Sequence, residues 1–222
     1  SNVSNALSLS TGNDKSQSYI SVATTNATGI MPNNDYDRYN FSFRNTTNFL
    51  NNKFILDTSA NYIIQNDKNM VSQGQYFNPL TSLYLFPRGE DFSDVAVYER
   101  YDDLSGVNTQ YWPYGDLGGV SSQDPYWIMN RMNRENDRRR YKLAASLQYN
   151  IIEGLNVQGR VSIDNTESKY TEKFHAGTVG NFAGPKGRYK EENRLDRQVY
   201  ADVLANFNKT FNEFNVTANL GA

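Results

Sequence analysis

The segment that decides the fold is Tyr141-Lys142-Leu143-Ala144-Ala145-Ser146-Leu147-Gln148-Tyr149. Its odd positions hold Tyr, Leu, Ala, Leu and Tyr, whereas its even positions hold Lys, Ala, Ser and Gln. A period of two predicts a β-strand with one apolar and one polar face. The two tyrosines lie roughly 26 Å apart along a strand. A tilt of about 40° reduces this to roughly the height of an outer-membrane apolar band. The pattern therefore indicates a membrane-crossing strand with an aromatic residue at each interface.

The same alternation recurs along the chain, in segments 36–49, 54–64, 155–163, 195–207 and 214–222. Charges such as Arg44, Asp57, Arg160 and Asp202 fall on the polar parity. A charge on the lipid face near the bilayer midplane costs about 2–4 kcal/mol, so this placement fits a wall between lipid and a wet lumen. Arg197 breaks this pattern, but it is expected near a strand end, where the cost is small.

The connections between these segments alternate in length. Short ones are predicted at 13–15, 51–52, 153–154 and 209–213, where Asn, Asp and Gly favour tight turns. Long ones are predicted at 25–36, 67–137 and 169–191. Strict alternation puts all short turns at one rim and all long loops at the other, as in barrels with periplasmic turns and extracellular loops.

Composition agrees with a barrel and excludes several other classes. Hydrophobic residues make up 38% of the 222 residues and the mean hydropathy is -0.72, which leaves little for a two-sheet core. No run reaches the roughly 18–20 apolar residues of a membrane helix. A net charge of -2 gives no basic footprint for nucleic acid, and the absence of cysteine excludes disulfides and thiolate metal sites. Because there is no signal segment at Ser1 and the sequence stops in what reads as mid-strand, we expect a fragment, incomplete at both ends.

Three stretches carry a family resemblance. Residues 6–15 (ALSLSTGNDK), followed by 18–21 (SYIS) and Gly29-Ile30, closely resemble the opening barrel strands of SusC/RagA-like TonB-dependent transporters of the Bacteroidetes. The stretches 35–41 (DYDRYNF) and 124–131 (DPYWIMNR) resemble two further parts of that family. Together they span residues 6 to 131, and the strand pattern continues to the end of the chain.

The resemblance implies a fold and a function. The fold class is all-β: residues 1–222 would supply about eight strands of an antiparallel transmembrane β-barrel of about 22 strands. The plug domain that closes such barrels would be absent from this chain. The implied function is outer-membrane import of oligosaccharides, or in the RagA branch oligopeptides, with a SusD-like surface lipoprotein as a lid. Energy would come from the TonB-ExbB-ExbD system acting through the plug, and membrane lipid would surround the multi-pass barrel.

The long connection at 67–137 contains the candidate ligand site. It is rich in aromatic residues and carboxylates, and flat aromatic faces beside polar groups suit sugars. The best candidates are Tyr111, Trp112 and Tyr114, because Pro113, Gly115, Gly118 and Gly119 indicate an exposed turn. The alternative is that most of these aromatics pack the loop or contact the lid. We interpret residues 124–127 as structural.

Catalysis and cofactors find little support in the sequence. The single histidine, His175, lies in a Gly-rich loop with no Ser, Cys or carboxylate arrangement around it, so no enzymatic activity is expected. No metal or other cofactor is expected either. Calcium is the open alternative, because 33–37 and 91–94 offer oxygen ligands without the twelve-residue loop pattern. Residues 138–140, three arginines, are expected at the outer rim beside anionic lipid headgroups.

Two other architectures remain open at this stage. One is a complete eight-stranded barrel with large loops. The other is a secreted all-β carbohydrate-binding module built as a β-sandwich. In a sandwich, Tyr141, Leu147, Phe41 and Phe43 would be buried against a second sheet, whereas in a barrel they would face outward.

Overall fold

The computed structural model describes residues 1–72, 74, 76–114 and 122–222 of the chain. Eight long strands form one sheet: β1 (Asn2–Gly12), β2 (Ser16–Thr28), β3 (Asp35–Phe49), β4 (Phe54–Lys68), β7 (Met132–Ile152), β8 (Leu155–Phe174), β9 (Arg188–Phe211) and β10 (Phe214–Gly221). Between β4 and β7 lie α1 (Pro79–Leu85), a 3-10 helix (Phe92–Ala96), β5 (Glu99–Asp102), β6 (Val107–Gln110) and α2 (Pro125–Arg131).

The sheet is an antiparallel meander. Its strand order is β1-β2-β3-β4-β7-β8-β9-β10, and β5 and β6 form a separate hairpin. The predicted all-β antiparallel fold is therefore confirmed. Among the described residues, no helix is both long enough and apolar enough to cross a membrane.

Cross-strand pairing places the apolar residues on one face of the sheet. A single row of directly paired residues runs across seven strands through Leu9, Ile20, Phe43, Ala60, Leu143, Ile163 and Val199. Leu143 is 47% exposed and Val199 is 64% exposed, so this row is not covered. Phe41, Phe43 and Leu147 are also exposed, and Tyr141 is half-buried. Within the described part of the chain no second sheet packs on this face, so the β-sandwich alternative is wrong.

Aromatic side chains border the apolar face at both ends. Near the short turns, Phe49, Phe54 and Tyr149 form a stacked row, with ring centroids 5.5 Å and 4.7 Å apart. Toward the opposite rim, Phe41, Tyr62 and Tyr141 are direct cross-strand partners. Such paired girdles are characteristic of strands that cross an outer membrane.

The strands are longer than the sequence pattern predicts. β7 has 21 residues and continues past Tyr141 to Met132, and β9 has 24 residues and begins at Arg188, so both extend toward the long loops. Beyond the bilayer both faces of a strand meet water, so apolar alternation ends there although the backbone pairing continues. The long connections are consequently 29–34, 69–131 and 175–187, instead of 25–36, 67–137 and 169–191.

The short turns lie where they are predicted, at 13–15, 50–53, 153–154 and 212–213. Asn51 and Asn52 adopt positive φ, a conformation that asparagine tolerates better than most residues. Gly154 has a φ of 84°, and a Cβ there would lie 2.4 Å from the carbonyl oxygen of Asn208. The tight turn between β7 and β8 therefore requires glycine.

Among the described residues, the buried hydrophobic core lies between the long loops and the adjoining ends of β7 and β8. Trp127, Ile128, Met132, Phe174 and Ala183 form one hydrophobic cluster. The pairing of β7 with β8 is unbroken from Met132 to Lys142. Met132 and Phe174 therefore lie on the same face of the sheet as Lys142 and Asp164, which is the polar face. The 69–131 and 175–187 connections therefore fold together over the polar face of the sheet.

Candidate functional site

The polar face of the sheet carries paired charges. Arg44 lies 2.7 Å from Asp57, and the Nε atoms of Arg140 and Arg160 each donate to a carboxylate at 2.8 Å, those of Asp164 and Asp202 respectively. Pairs this exposed contribute little to stability, because water screens them. Their consequence is a wall that is strongly polar and locally charge-balanced.

A shallow hollow of about 270 Å³ lies in the middle of this face. Its floor is made by small side chains, among them Ala144 and Ser162. Its border includes Lys142, Arg160 and Tyr200, which offer hydrogen-bond donors, and Asp57, which accepts. The arrangement suits a polar surface or a hydrated solute lying against the wall.

The three aromatic residues predicted to bind ligand lie together after β6. Trp112 and Tyr114 pack edge to face with centroids 5.2 Å apart, and Tyr114 packs edge to face on Phe86 at 5.1 Å. The guanidinium carbon of Arg100 lies 3.4 Å from the ring centroid of Tyr111. Each of the three is thus half-buried and has a packing partner.

Their polar atoms are also engaged in the loop. Trp112 Nε1 donates to Ser122 Oγ at 2.9 Å, and the backbone N–H of Tyr111 donates to the carbonyl of Tyr98. Loss of solvent around Tyr114, together with the negative charges of Glu90 and Asp94, raises the pKa of its phenol. Gly115, Gly118 and Gly119, on which the predicted exposed turn depends, lie outside the described residues. Ligand binding by Tyr111, Trp112 and Tyr114 therefore stays a prediction.

Two other aromatics of the same connection are more exposed. Tyr84 on α1 is 84% exposed and Tyr101 on β5 is 65% exposed. In the sequence, Tyr84 and Tyr101 are not distinguished from the other aromatics of the connection, because neither has a distinctive neighbour. Their exposure depends on how α1 and the β5–β6 hairpin pack.

The loop is tied together by buried polar contacts around α2. Asp124 caps the helix by accepting from the backbone N–H groups of Tyr126 and Trp127, and burial raises its pKa to about 6. Arg131 donates two 2.8 Å hydrogen bonds to Glu99, and these bonds hold the pKa of the Glu99 carboxyl below its usual value. The hairpin is thereby fixed to α2.

The remaining candidates are placed as follows. His175 is exposed, and its backbone N–H donates to the carbonyl of Arg131. The Asp91 side chain accepts from the backbone N–H of Ser93, and Asn33 donates to the carbonyl of Met129. Among the residues that the structure describes, no group of three or more His, Cys, Asp or Glu could hold a metal ion. Calcium binding stays an untested alternative.

The three consecutive arginines do not all face the lipid side. Arg138 and Arg140 have the polar parity, and Arg140 pairs with Asp164. Arg138 donates to Ser168 at 3.4 Å. Only Arg139 shares the parity of Tyr141. The expectation that all three meet headgroups is therefore wrong, since consecutive strand residues point to opposite faces.

Comparison with solved structures identifies the fold. The chain superposes on the RagAB peptide transporter with a TM-score of 0.69 and 15% identity over 99% of its length, and on the RagAB peptide importer in its "closed-closed" state with 0.67 and 14% over 98%. The ferric-catecholate import receptor Fiu from E. coli K12 gives 0.57 and 9% over 99%. The fold-level resemblance to SusC/RagA-like transporters is thus confirmed.

The chain spans 23–24% of the length of the RagAB chains and 31% of the Fiu chain. These similar structures are of importers and an import receptor, not of enzymes. The sequence matches no protein-family model and no curated protein.

Proposed function

We propose that this chain forms part of the barrel wall of an outer-membrane, TonB-dependent nutrient importer. The observation that carries the proposal is the division of the sheet into two faces. Exposed apolar residues such as Leu143 and Val199 lie on one face between two aromatic rows, while the arginine–carboxylate pairs lie on the other. A lipid-facing surface and a wet lumen require this division.

The loops support the same function. The 69–131 and 175–187 connections share a core above the polar face, so they lie over the mouth of the proposed passage. Asn33 of the 29–34 connection joins them by donating to Met129 O at 3.2 Å and to Asn130 Oδ1 at 2.9 Å. A folded surface at this place suits a role in ligand capture or in contact with a lid.

The proposed cargo is an oligosaccharide or an oligopeptide. The charge-balanced polar wall favours hydrated solutes, and the aromatic residues of the long connection favour sugar or peptide faces. A SusD-like surface lipoprotein is the proposed lid. The plug and its contacts with TonB-ExbB-ExbD are assigned to other parts of the protein.

The function is tested on the full-length protein in its own outer membrane. The protein is purified in mild detergent, and its co-purifying lipoprotein and bound oligomers are identified by mass spectrometry. Uptake of the identified oligomer is then compared between cells with and without TonB. We expect a bound oligosaccharide or oligopeptide and loss of uptake without TonB. TonB-independent uptake, or recovery of the protein in the soluble fraction, would contradict the proposal.

A further inference from the structure

A polar patch interrupts the apolar face of the sheet near the rim of the long loops. We call it the outer-rim patch, and it consists of Asp137, Arg139, Asn165, Glu167, Lys169 and Arg197. In the register Arg139 lies across from Glu167, and Asn165 lies across from both Tyr141 and Arg197. All have the parity of the apolar face. A shallow groove of about 430 Å³ is bordered by Asp137, Arg139, Glu167 and Lys169.

Within the part of the chain that the structure describes, two guanidinium groups of the patch have no anionic partner. Lys169 lies 3.1 Å from Glu191, but among the described residues Arg139 and Arg197 form no ion pair, although Glu167 is directly across from Arg139. Arg197 Nε donates to Asn165 Oδ1 at 3.0 Å. Asn165 itself is only 1% exposed, so Arg197 is held against a buried side chain.

The depth of these arginines follows from the register. Arg197 is the next residue of the apolar parity on β9 after Val199, toward the long loops. Arg139 is the next such residue on β7 after Tyr141, about 5 Å beyond it in height after tilt. Aromatic belts mark the level of the headgroups. Both guanidinium groups therefore lie at headgroup level on the lipid side.

We propose that Arg139 and Arg197 bind the phosphate group of an outer-leaflet lipid. Arginine matches phosphate geometry with paired N–H donors, and its weaker hydration favours such contacts over those of lysine. The carboxylates of Asp137 and Glu167 oppose binding electrostatically, so the two arginines carry it. The inference rests on the proposed function, because it requires the apolar face to meet lipid.

The test uses the full-length protein extracted from its own outer membrane in mild detergent. Phosphate-bearing lipid retained per protein is measured by mass spectrometry for the wild type, Arg139→Ala, Arg197→Ala and the double variant. Arg138→Ala is the matched control, because Arg138 is next to Arg139 in β7 but its side chain lies on the opposite face of the sheet. Folding is checked by heat-modifiable mobility in gels. For the double variant we expect about a tenfold drop in retained lipid, because both arginine–phosphate contacts are lost.

The variants are expected to change lipid retention in different directions. Arg139→Ala and Arg197→Ala each lower retention, Arg138→Ala leaves it unchanged, and Glu167→Gln raises it because it removes the carboxylate across from Arg139. Equal loss for Arg138→Ala and Arg139→Ala would overturn the proposal. So would detection of bound inorganic phosphate in place of lipid, since that would identify a free-anion site.

Failure of this inference can be told apart from failure of the proposed function. A spin label at position 143 reports whether the apolar face contacts lipid. The label at 143 could contact lipid while lipid retention does not depend on Arg139 and Arg197. This result overturns the phosphate site alone. Absence of lipid contact at 143 overturns the barrel wall, and the phosphate site with it.

Discussion

At the scale of single residues, the long loop is organised around α2. Trp127 has no exposed surface, and its Nε1 donates to Thr178 Oγ1 at 3.1 Å, which links the 69–131 and 175–187 connections. Asp124 begins the helix, and its second oxygen, Oδ2, has no hydrogen-bond partner among the described residues. Trp127 thus contributes packing, and Asp124 contributes a helix cap whose ionisation is unfavourable.

Replacing Trp127 by Ala should unfold the loop without disassembling the sheet. Removing a buried Trp side chain costs about 3–5 kcal/mol, and here the loss falls on the loop core alone. Limited proteolysis of the full-length protein in its membrane should cut within 69–131 much faster than in the wild type, while heat-modifiable mobility stays unchanged. The control variant Tyr84→Ala, which removes an exposed ring, should be cut at the wild-type rate.

Asp124 should make the stability of α2 depend on pH. Its pKa in the folded state, about 6, lies above the usual aspartate pKa of 3.8. Between these values the folded state binds more protons than the unfolded state, so stability falls as pH rises through this window. Over the whole window the loss of stability amounts to about 3 kcal/mol. Hydrogen exchange at the amides of Tyr126 and Trp127 should report a falling opening free energy from pH 4 to pH 6.

The matched variant for this prediction is Asp124→Asn. Asparagine also caps helices well but carries no titratable proton. Its opening free energy at these amides should be flat between pH 4 and pH 6. Equal pH dependence in the variant and the wild type would assign the effect to another group.

Trp112→Ala tests the predicted ligand site. If Trp112 contacts the cargo, affinity in the purified full-length protein should fall about tenfold, as expected for a stacking contact of about 1–1.5 kcal/mol. Phe86→Ala is the control, because Phe86 packs on Tyr114 but is not a ligand candidate. An equal loss of affinity in both variants would show that Trp112 acts through packing.

At the scale of elements, parity decides which way each side chain of a strand faces, and parity is visible in the sequence. The alternation at 141–149 and the row through Phe43, Leu143 and Val199 follow from the same period of two. The strand ends were less predictable. Residues 133–140 of β7 are polar on both faces, so hydrophobic alternation carries no signal there.

The loop elements could not be predicted in the same way. α1 and α2 have seven residues each, too few for a clear periodicity. The contacts that fix Tyr111, Trp112 and Tyr114 come from residues such as Phe86 and Arg100, distant in sequence. The sequence alone therefore located the aromatic candidates but not their partners.

An inserted arginine should distinguish the two faces of β7. Leu143→Arg places a charge in the middle of the apolar face and should cost about 2–4 kcal/mol. Ala144→Arg places it on the polar face beside Ser162 and Ser59, its cross-strand partners, and should be tolerated. The measurement is the yield of folded protein in the outer membrane. Equal yields would contradict the assignment of the faces.

At the scale of the whole molecule, the sheet has an uncovered apolar face and two edges, β1 and β10. Both features favour association when the segment is separated from lipid and from neighbouring strands. Residues 1–222 expressed alone should therefore sediment as aggregates in buffer and remain dispersed only in detergent. A monodisperse monomer in buffer would be incompatible with a barrel wall.

The central claim is that this sheet separates lipid from a wet lumen, and neighbouring residues 43 and 44 test it most directly. The 222 residues contain no cysteine, so Phe43→Cys and Arg44→Cys each give a single labelling site in this segment. Nitroxide accessibility in native membranes should show contact with lipid-soluble oxygen at 43 and with a water-soluble relaxant at 44. Burial of both labels from both reagents, or equal access of both to water, would contradict the account.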